Sequence, residues 1–130
     1  MSAQPPTFDA LIGMHDVRVE DDGSIAATVP VRPDLKQAFG LVHGGVYASI
    51  AESLASIGTF MGVHERGMHA MGLSNSTNFL RPILDGAIHA TARPFHRGST
   101  TWLWDVEIRD DDGRLCATTR MTIAVRPARA

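Results

Sequence analysis

The apolar and polar positions of the chain predict one long helix between Gln37 and Gly62, where apolar residues recur with helical spacing. At about 100° per residue, one broad apolar face collects Val46, Tyr47, Ile50, Ala51, Leu54, Ile57 and Met61. The other face is small and mildly polar, with a single carboxylate: Gly45, Ala48, Ser49, Glu52, Ala55, Ser56 and Thr59. Surface helices usually carry charged residues on their outer face. The small second face therefore predicts contact with another backbone.

The rest of the chain predicts a short helix and about six strands. The short helix begins at Thr7 and ends near Gly13. Loosely alternating residues predict a hairpin with strands near residues 15–20 and 24–31. Four later strands follow the long helix, separated by turn signals such as Asp85-Gly86. Their even spacing predicts an antiparallel meander.

These elements predict an α+β fold, in which a curved antiparallel sheet of about six strands wraps around one long central helix. Packing on the sheet would bury Ile50, Leu54, Ile57 and Met61. A single sheet covers only one side of a helix. The face that carries Glu52 is therefore predicted to meet a second subunit across a twofold axis, where its carboxylate would lose part of its hydration. The alternative is an ordinary amphipathic helix whose Glu52 points at water.

Composition limits the classes of function. The 130 residues suit a single domain spanning 1–130, with a net charge of −2 and no basic stripe, so nucleic acid is an unexpected partner. The single cysteine, Cys116, predicts a reducing compartment and a core position. The chain begins without the pattern of a signal peptide, and no uninterrupted apolar stretch reaches membrane-spanning length. The histidines lack metal-ligand spacing. We expect a cytoplasmic protein with no metal, cofactor or membrane partner.

The start of the long helix has the features of a carbonyl-binding site. A helix N-terminus presents unpaired N–H groups and partial positive charge, and Gly44 and Gly45 have no side chains to block a ligand. Such donors stabilise an oxyanion. Glu52 lies about 12 Å further along the helix, too far to reach the same carbon. Two antiparallel helices across a dimer axis would bring Gly44 of one chain near Glu52 of the other.

The run QAFGLVHGGVYASIAESLAS resembles the HGG-containing helix segment of hotdog-fold acyl-CoA thioesterases, in the PaaI-like 4HBT superfamily and its Arthrobacter-type 4-hydroxybenzoyl-CoA thioesterase branch. The resemblance implies that Gln37 helps to place the thioester and that His43 supports the site. It implies that the Gly44 N–H polarises the carbonyl and that Glu52 attacks it or activates water. Ser56 would position the water or the carboxylate. Glu52 and Gln37 favour the aryl-CoA branch.

The resemblance extends to the later runs NSTNFLRP and HRGSTT and implies a set of CoA-binding residues. Hydroxyl and guanidinium groups suit phosphate oxygens. The predicted substrate- and CoA-binding residues are Gly45, Asn78, Arg81, Arg97, Ser99 and Thr100, with Arg129 as a further cation. Two alternatives stay open: the phosphate-binding residues are solvated strand ends, and Asn78 packs in the sheet rather than reaching the acyl pocket.

The sequence therefore predicts an acyl-CoA thioesterase that acts on an aryl or medium-sized acyl group. Its minimal unit would be a homodimer, assembled into a tetramer as a dimer of dimers. One alternative keeps the fold but hydrates or dehydrates an enoyl-CoA. Another is a non-catalytic acyl-CoA-binding module. The acyl group itself cannot be read from the chain.

Overall fold

The computed structural model describes residues 7–129. The helices are α1 (Phe8–Ile12) and α2 (Gly44–Val63), and short 3₁₀ turns lie at Pro33–Leu35 and His64–Arg66. The strands are β1 (His15–Val19), β2 (Ile25–Pro30), β3 (Met68–Phe79), β4 (Ala87–Arg97), β5 (Thr101–Arg109) and β6 (Leu115–Pro127). The predicted domain of residues 1–130 includes residues 1–6 and 130, which lie outside the described residues. Residues 1–6 also belong to the N-terminal segment that lacks the pattern of a signal peptide.

The strands form one antiparallel sheet in the order β1-β2-β4-β5-β6-β3, against which α2 packs. This confirms the predicted α+β hotdog architecture. The meander is right for β4, β5 and β6 but wrong for β3, which pairs with β6 at the edge of the sheet. The segment between β3 and β4, residues 80–86, contains Pro82 and is too long for a tight hairpin. Turn signals mark where a strand ends, but not its neighbour.

The buried face of α2 is rotated from the predicted one. Ile50 and Leu54 are fully buried as predicted, but Met61 is 51% exposed and Ile57 only half-buried, so the prediction was wrong for Met61. Ala55 and Thr59, placed on the open face by the periodicity, are fully buried instead. By length and composition the segment Gly44–Arg66 would suffice to cross a membrane. In the described chain its helix is the core helix of the sheet.

Two tryptophans on β5 explain the rotation. Trp102 and Trp104 are buried and stacked, with ring centroids 6.1 Å apart. A Cβ atom at Gly58 would lie 2.4 Å from Trp104, and one at Gly62 would lie 2.4 Å from Trp102. At these two positions in the C-terminal half of α2, only small residues fit against the indoles. Gly58 and Gly62, which the periodicity assigned to neither face, therefore leave room for the two indoles against α2.

A buried hydrogen bond joins α2 to β5. The Trp104 Nε1–H donates to Thr59 Oγ1 at 2.8 Å, and the Thr59 hydroxyl donates to the Ala55 carbonyl at 2.8 Å. Replacing Thr59 by Val would leave the buried indole N–H without its acceptor, which costs about 1–3 kcal/mol. We expect Thr59→Val to lower the free energy of unfolding by that amount in a urea titration.

The control for this experiment is Thr122→Val. Thr122 is a half-buried residue of β6, and its hydroxyl forms no hydrogen bond with a described residue. An equal loss of stability in Thr59→Val and Thr122→Val would mean that the bond to Trp104 contributes nothing specific.

Two exposed surfaces of the described residues bear on assembly with another chain. One is a stripe along α2, and we call it the open stripe: Gly45, Ser49, Glu52, Ser56 and Phe60, spaced three or four residues apart. The other is the free edge of β3, which exposes Met71 and Leu73 at 58% and 59%. Unpaired strand edges with exposed apolar side chains readily pair with another chain.

Candidate active site

The first turn of α2 is organised by His43. This residue has an extended backbone and is the N-cap of the helix, and its Nδ1 atom accepts a hydrogen bond from the Gly45 N–H at 2.8 Å. Because Nδ1 is the acceptor, the ring proton of a neutral imidazole resides on Nε2. A Cβ atom at Gly45 would lie 2.9 Å from Nδ1, so the cap requires a glycine there.

The backbone N–H of Gly44 is free. Within residues 7–129 it donates to no acceptor, whereas its neighbour Gly45 is bound to His43. The Phe79 ring lies over Gly44 so closely that a Cβ atom there would be 2.8 Å from the ring. The helix therefore presents one unsatisfied, electropositive donor beside an apolar surface, which suits a carbonyl oxygen that gains negative charge.

Gln37 is fixed by its own loop. Its side-chain Oε1 accepts from the Phe39 N–H, and its backbone carbonyl accepts from the Gly40 N–H at 3.0 Å. Gly40 has a φ of +91°, in the region that favours glycine. The Gln37 Nε2 group donates no hydrogen bond within the described chain. Gln37 can therefore offer a ligand hydrogen-bond donors, but its oxygen is already engaged.

Gln37, His43, Gly44 and Gly45 border one cleft of about 620 Å³, within the usual size of a small-molecule site. Its other lining residues are mostly apolar: Leu41, Val42, Tyr47, Phe79, Leu80, Arg81 and Pro82. The structure thus brings together five of the predicted site residues, with Arg81 as the cation.

Tyr47 contributes a buried side chain to this cleft. Its hydroxyl is buried and has no hydrogen-bond partner in the described chain. Burial raises the pKa of Tyr47 to about 12, and the nearby Ile83 N–H opposes the shift only in part. Sequence reasoning placed Tyr47 on the apolar face and missed its position at the cleft. The sequence feature that could have indicated this position is a tyrosine hydroxyl about one helical turn after Gly44.

Glu52 lies outside this cleft. It is exposed on the open stripe and borders a smaller cavity of about 320 Å³ with Ser49 and Asn75. Its carboxyl carbon is 3.5 Å from where a Cβ atom at Gly72 would be, so it rests against β3. The loss of hydration predicted for Glu52 is absent in the single chain and would need a second subunit. Ser56 is half-buried one turn further along the same stripe.

The predicted phosphate-binding residues are at the other end of the sheet. Ser99 and Thr100 form the exposed turn between β4 and β5, next to Thr101, whereas Ile108 is level with Phe79 through Ala117. The seven residue steps from Thr101 to Ile108 span about 24 Å. The turn therefore lies far from the Gly44 cleft of the same chain.

A cation missed by sequence reasoning lies at this turn. The Arg126 Nη1 group donates to the Thr100 carbonyl at 2.9 Å, and the Val125 N–H donates to the same oxygen at 2.9 Å. Arg97 instead lies over the Trp102 ring, 5.5 Å from its centroid. Arg126 could not be assigned from the sequence because strand pairing between distant segments brings it to the turn.

The remaining predicted residues are not brought to the glycine turn. Asn78 lines a separate cavity on the outer face of the sheet with Asp105 and Arg120. Arg129 is exposed near the end of the described chain. The roles of all these residues stay predictions. Within residues 7–129, no group of three or more His, Cys, Asp or Glu side chains is placed to hold a metal ion.

The sequence profile described as "Thioesterase superfamily" matches residues 39–117, which include the glycine turn, Glu52 and the phosphate-binding candidates. The chain belongs to this superfamily. The 1,4-dihydroxy-2-naphthoyl-CoA hydrolase of Escherichia coli is 36% identical over 117 residues, covering 88% of this chain and 85% of that enzyme. The proofreading thioesterase EntH of Cronobacter turicensis is 33% identical over 114 residues, covering 88% and 82%.

Solved structures agree with this membership. A crystal structure of a variant of thioesterase PA1618 from Pseudomonas aeruginosa has a TM-score of 0.88 and 36% identity. The match covers 93% of this chain and 86% of that one. This member of the thioesterase superfamily is accordingly a thioester hydrolase, and the predicted family resemblance is confirmed.

Proposed function

We propose that the protein hydrolyses the thioester of an aryl or medium-sized acyl-CoA to the free acid and CoA. The unpaired Gly44 N–H at the mouth of a mainly apolar cleft is the observation that carries this proposal. A donor held in place before the reaction stabilises the oxyanion of a tetrahedral intermediate without reorganisation. The similar E. coli enzyme is named for an aryl-CoA substrate, which supports an aryl acyl group here.

The reaction centre would be shared between two chains. Gly44 and Glu52 are separated by about 12 Å along α2, and both lie on parts of the helix that the chain's own sheet leaves accessible. Pairing of two β3 edges about a twofold axis would run the two α2 helices antiparallel with their open stripes facing. That arrangement puts Gly44 of one chain level with Glu52 of its partner. It would also desolvate the carboxylate.

Two routes lead to the same products. In one, a Glu52 carboxylate oxygen bonds to the thioester carbon, the C–S bond breaks, and water hydrolyses the resulting anhydride. In the other, Glu52 takes a proton from water, whose oxygen attacks the carbon as the thiolate leaves. Ser56, one turn from Glu52, would orient the carboxylate or the water. Gln37 would donate to the ligand through its free amide group.

The phosphate end of CoA would be held by a further subunit. Ser99 and Thr100 lie about 24 Å by strand rise from the Gly44 end of their own sheet, so they would serve a ligand bound at another chain. Arg126 fixes this turn through the Thr100 carbonyl. A dimer of dimers would supply such a neighbour. The tetramer, a cytoplasmic location and independence from cofactors are part of the same proposal.

A thiol-release assay tests the reaction. We expect purified protein to liberate CoA thiol from benzoyl-, phenylacetyl-, hydroxybenzoyl- or straight-chain acyl-CoA, detected with a chromogenic thiol reagent. Hydration of an enoyl-CoA without thiol release would instead assign the hydratase function. Tight binding of acyl-CoA with no turnover of any ester would assign a binding module.

A further inference from the structure

Two large apolar side chains of α1 are exposed beside the candidate reaction centre. Phe8 and Leu11 are 58% and 67% exposed, although Ile12 of the same short helix is buried in the core. Neighbouring apolar side chains that are largely exposed to water are unfavourable and mark a site for a ligand or partner. Their position relative to α2 indicates what packs on these two side chains.

The helix α1 is capped at its start and is held against the rest of the fold by two side chains, those of Arg32 and Ser53. The Thr7 hydroxyl caps it by accepting from the Ala10 N–H at 3.1 Å. The Arg32 guanidinium donates to the Ile12 carbonyl at 3.0 Å. The Ser53 hydroxyl donates to the Asp9 carboxylate at 2.5 Å, one residue after Glu52. The last of these bonds ties α1 to the turn of α2 that carries the candidate base.

The space between α1 and α2 is concave. Phe8 and Leu11 border a cavity of about 600 Å³ that also touches Gly45 and Val46. Phe8 borders the second cavity of about 320 Å³, which contains Glu52. Ser49 is common to both cavities, so one groove follows α2 from the glycine turn to the carboxylate within a single chain.

We propose that Phe8 and Leu11 form the wall against which the acyl group packs, and that α1 thereby selects bulky apolar acyl groups. This inference rests on the proposed function. The partner's helix would cover the open stripe and turn the groove into an enclosed site. The thioester carbon, held at the partner's Gly44 turn beside Glu52, would place its acyl substituent next to the Phe8 ring. Aromatic rings offer large apolar contact surfaces to such groups.

The groove has room for a small-molecule ligand. Small-molecule sites measure about 300–1,000 Å³, and both cavities fall in this range. The smaller cavity includes Glu52, so an acyl group in this groove would lie next to the candidate catalytic carboxylate.

The test compares acyl groups of different size in Phe8→Ala and Leu11→Ala. We expect Phe8→Ala to lower kcat/KM for benzoyl-CoA and hexanoyl-CoA by about 10-fold or more, mainly through KM, because each apolar contact discriminates by roughly that factor. For acetyl-CoA, which is too short to reach the wall, the change should stay within about 2-fold. Leu11→Ala should show the same selectivity with a smaller effect. Val17→Ala, an exposed apolar residue on β1, is the matched control.

The outcomes separate this inference from the proposed function. Suppose that the unmodified protein releases thiol and that Phe8→Ala lowers kcat/KM equally for all three esters, or for none of them. This result would overturn the role of α1 and leave the thioesterase proposal standing. A change of oligomeric state in Phe8→Ala, measured by light scattering, would show that the ring belongs to a subunit interface and would likewise overturn it. Absence of thiol release from every ester in the unmodified protein would reject both.

Discussion

Glu52→Ala is expected to lower kcat for acyl-CoA hydrolysis by roughly 10³-fold or more, because it removes the only carboxylate on the open stripe of α2. A general base alone contributes up to about 10⁴-fold, and a nucleophile is equally indispensable. The Glu52 side chain is exposed and is not part of the buried core. The variant should therefore fold normally and keep its Kd for CoA, measured by calorimetry.

The control for this experiment is Glu65→Ala, another exposed glutamate, in the 3₁₀ turn after α2. It makes the same chemical change beyond the end of the helix and should leave kcat unaltered. If Glu52→Ala and Glu65→Ala hydrolyse the best substrate equally well, the carboxylate of Glu52 has no part in the reaction.

Leu73→Asp is expected to separate the subunits and abolish activity together. Leu73 is 59% exposed on the free edge of β3, at the irregularity between Gly72 and Ser74. Burying an unpaired carboxylate at an interface costs about 3 kcal/mol or more, which weakens association at least about 100-fold. Monomers would have Gly44 without a partner's Glu52. Light scattering and thiol release, measured over a dilution series, should fall in parallel.

Leu84→Asp supplies the comparison, since Leu84 is 55% exposed between β3 and β4, outside both uncovered surfaces. It should keep the assembly and the activity of the unmodified protein. A monomeric Leu73→Asp variant with undiminished kcat would contradict the shared reaction centre. A dimeric variant would instead exclude the β3 edge as the interface.

Local patterns predicted the elements well. Periodicity located α2, and alternation with turn residues located the hairpin of β1 and β2. The predictions that were wrong concern features that depend on contacts between residues distant in the sequence. The edge position of β3 follows from its pairing with β6, and the burial of Thr59 follows from Trp104, neither of which is encoded in local spacing.

The same distinction holds for the candidate site. The helix start with Gly44 was predicted because its chemistry is contiguous in sequence, and the structure adds that the Gly44 N–H donates to no acceptor within residues 7–129. Phe8 and Arg126 escaped prediction because tertiary packing alone brings them to α2 and to the Ser99–Thr100 turn. Glu52 was predicted to lose part of its hydration, but its side chain is exposed in the single chain. Its desolvation by a second copy stays a prediction.

The stacked indoles of Trp102 and Trp104 have a practical consequence. They are the only two tryptophans of the chain, and both lie beneath the C-terminal half of α2, at Gly58 and Gly62. Intrinsic fluorescence of the protein therefore originates from one place, the contact between the helix and the sheet. Loosening of this contact can be followed by a red shift of emission, without any attached dye.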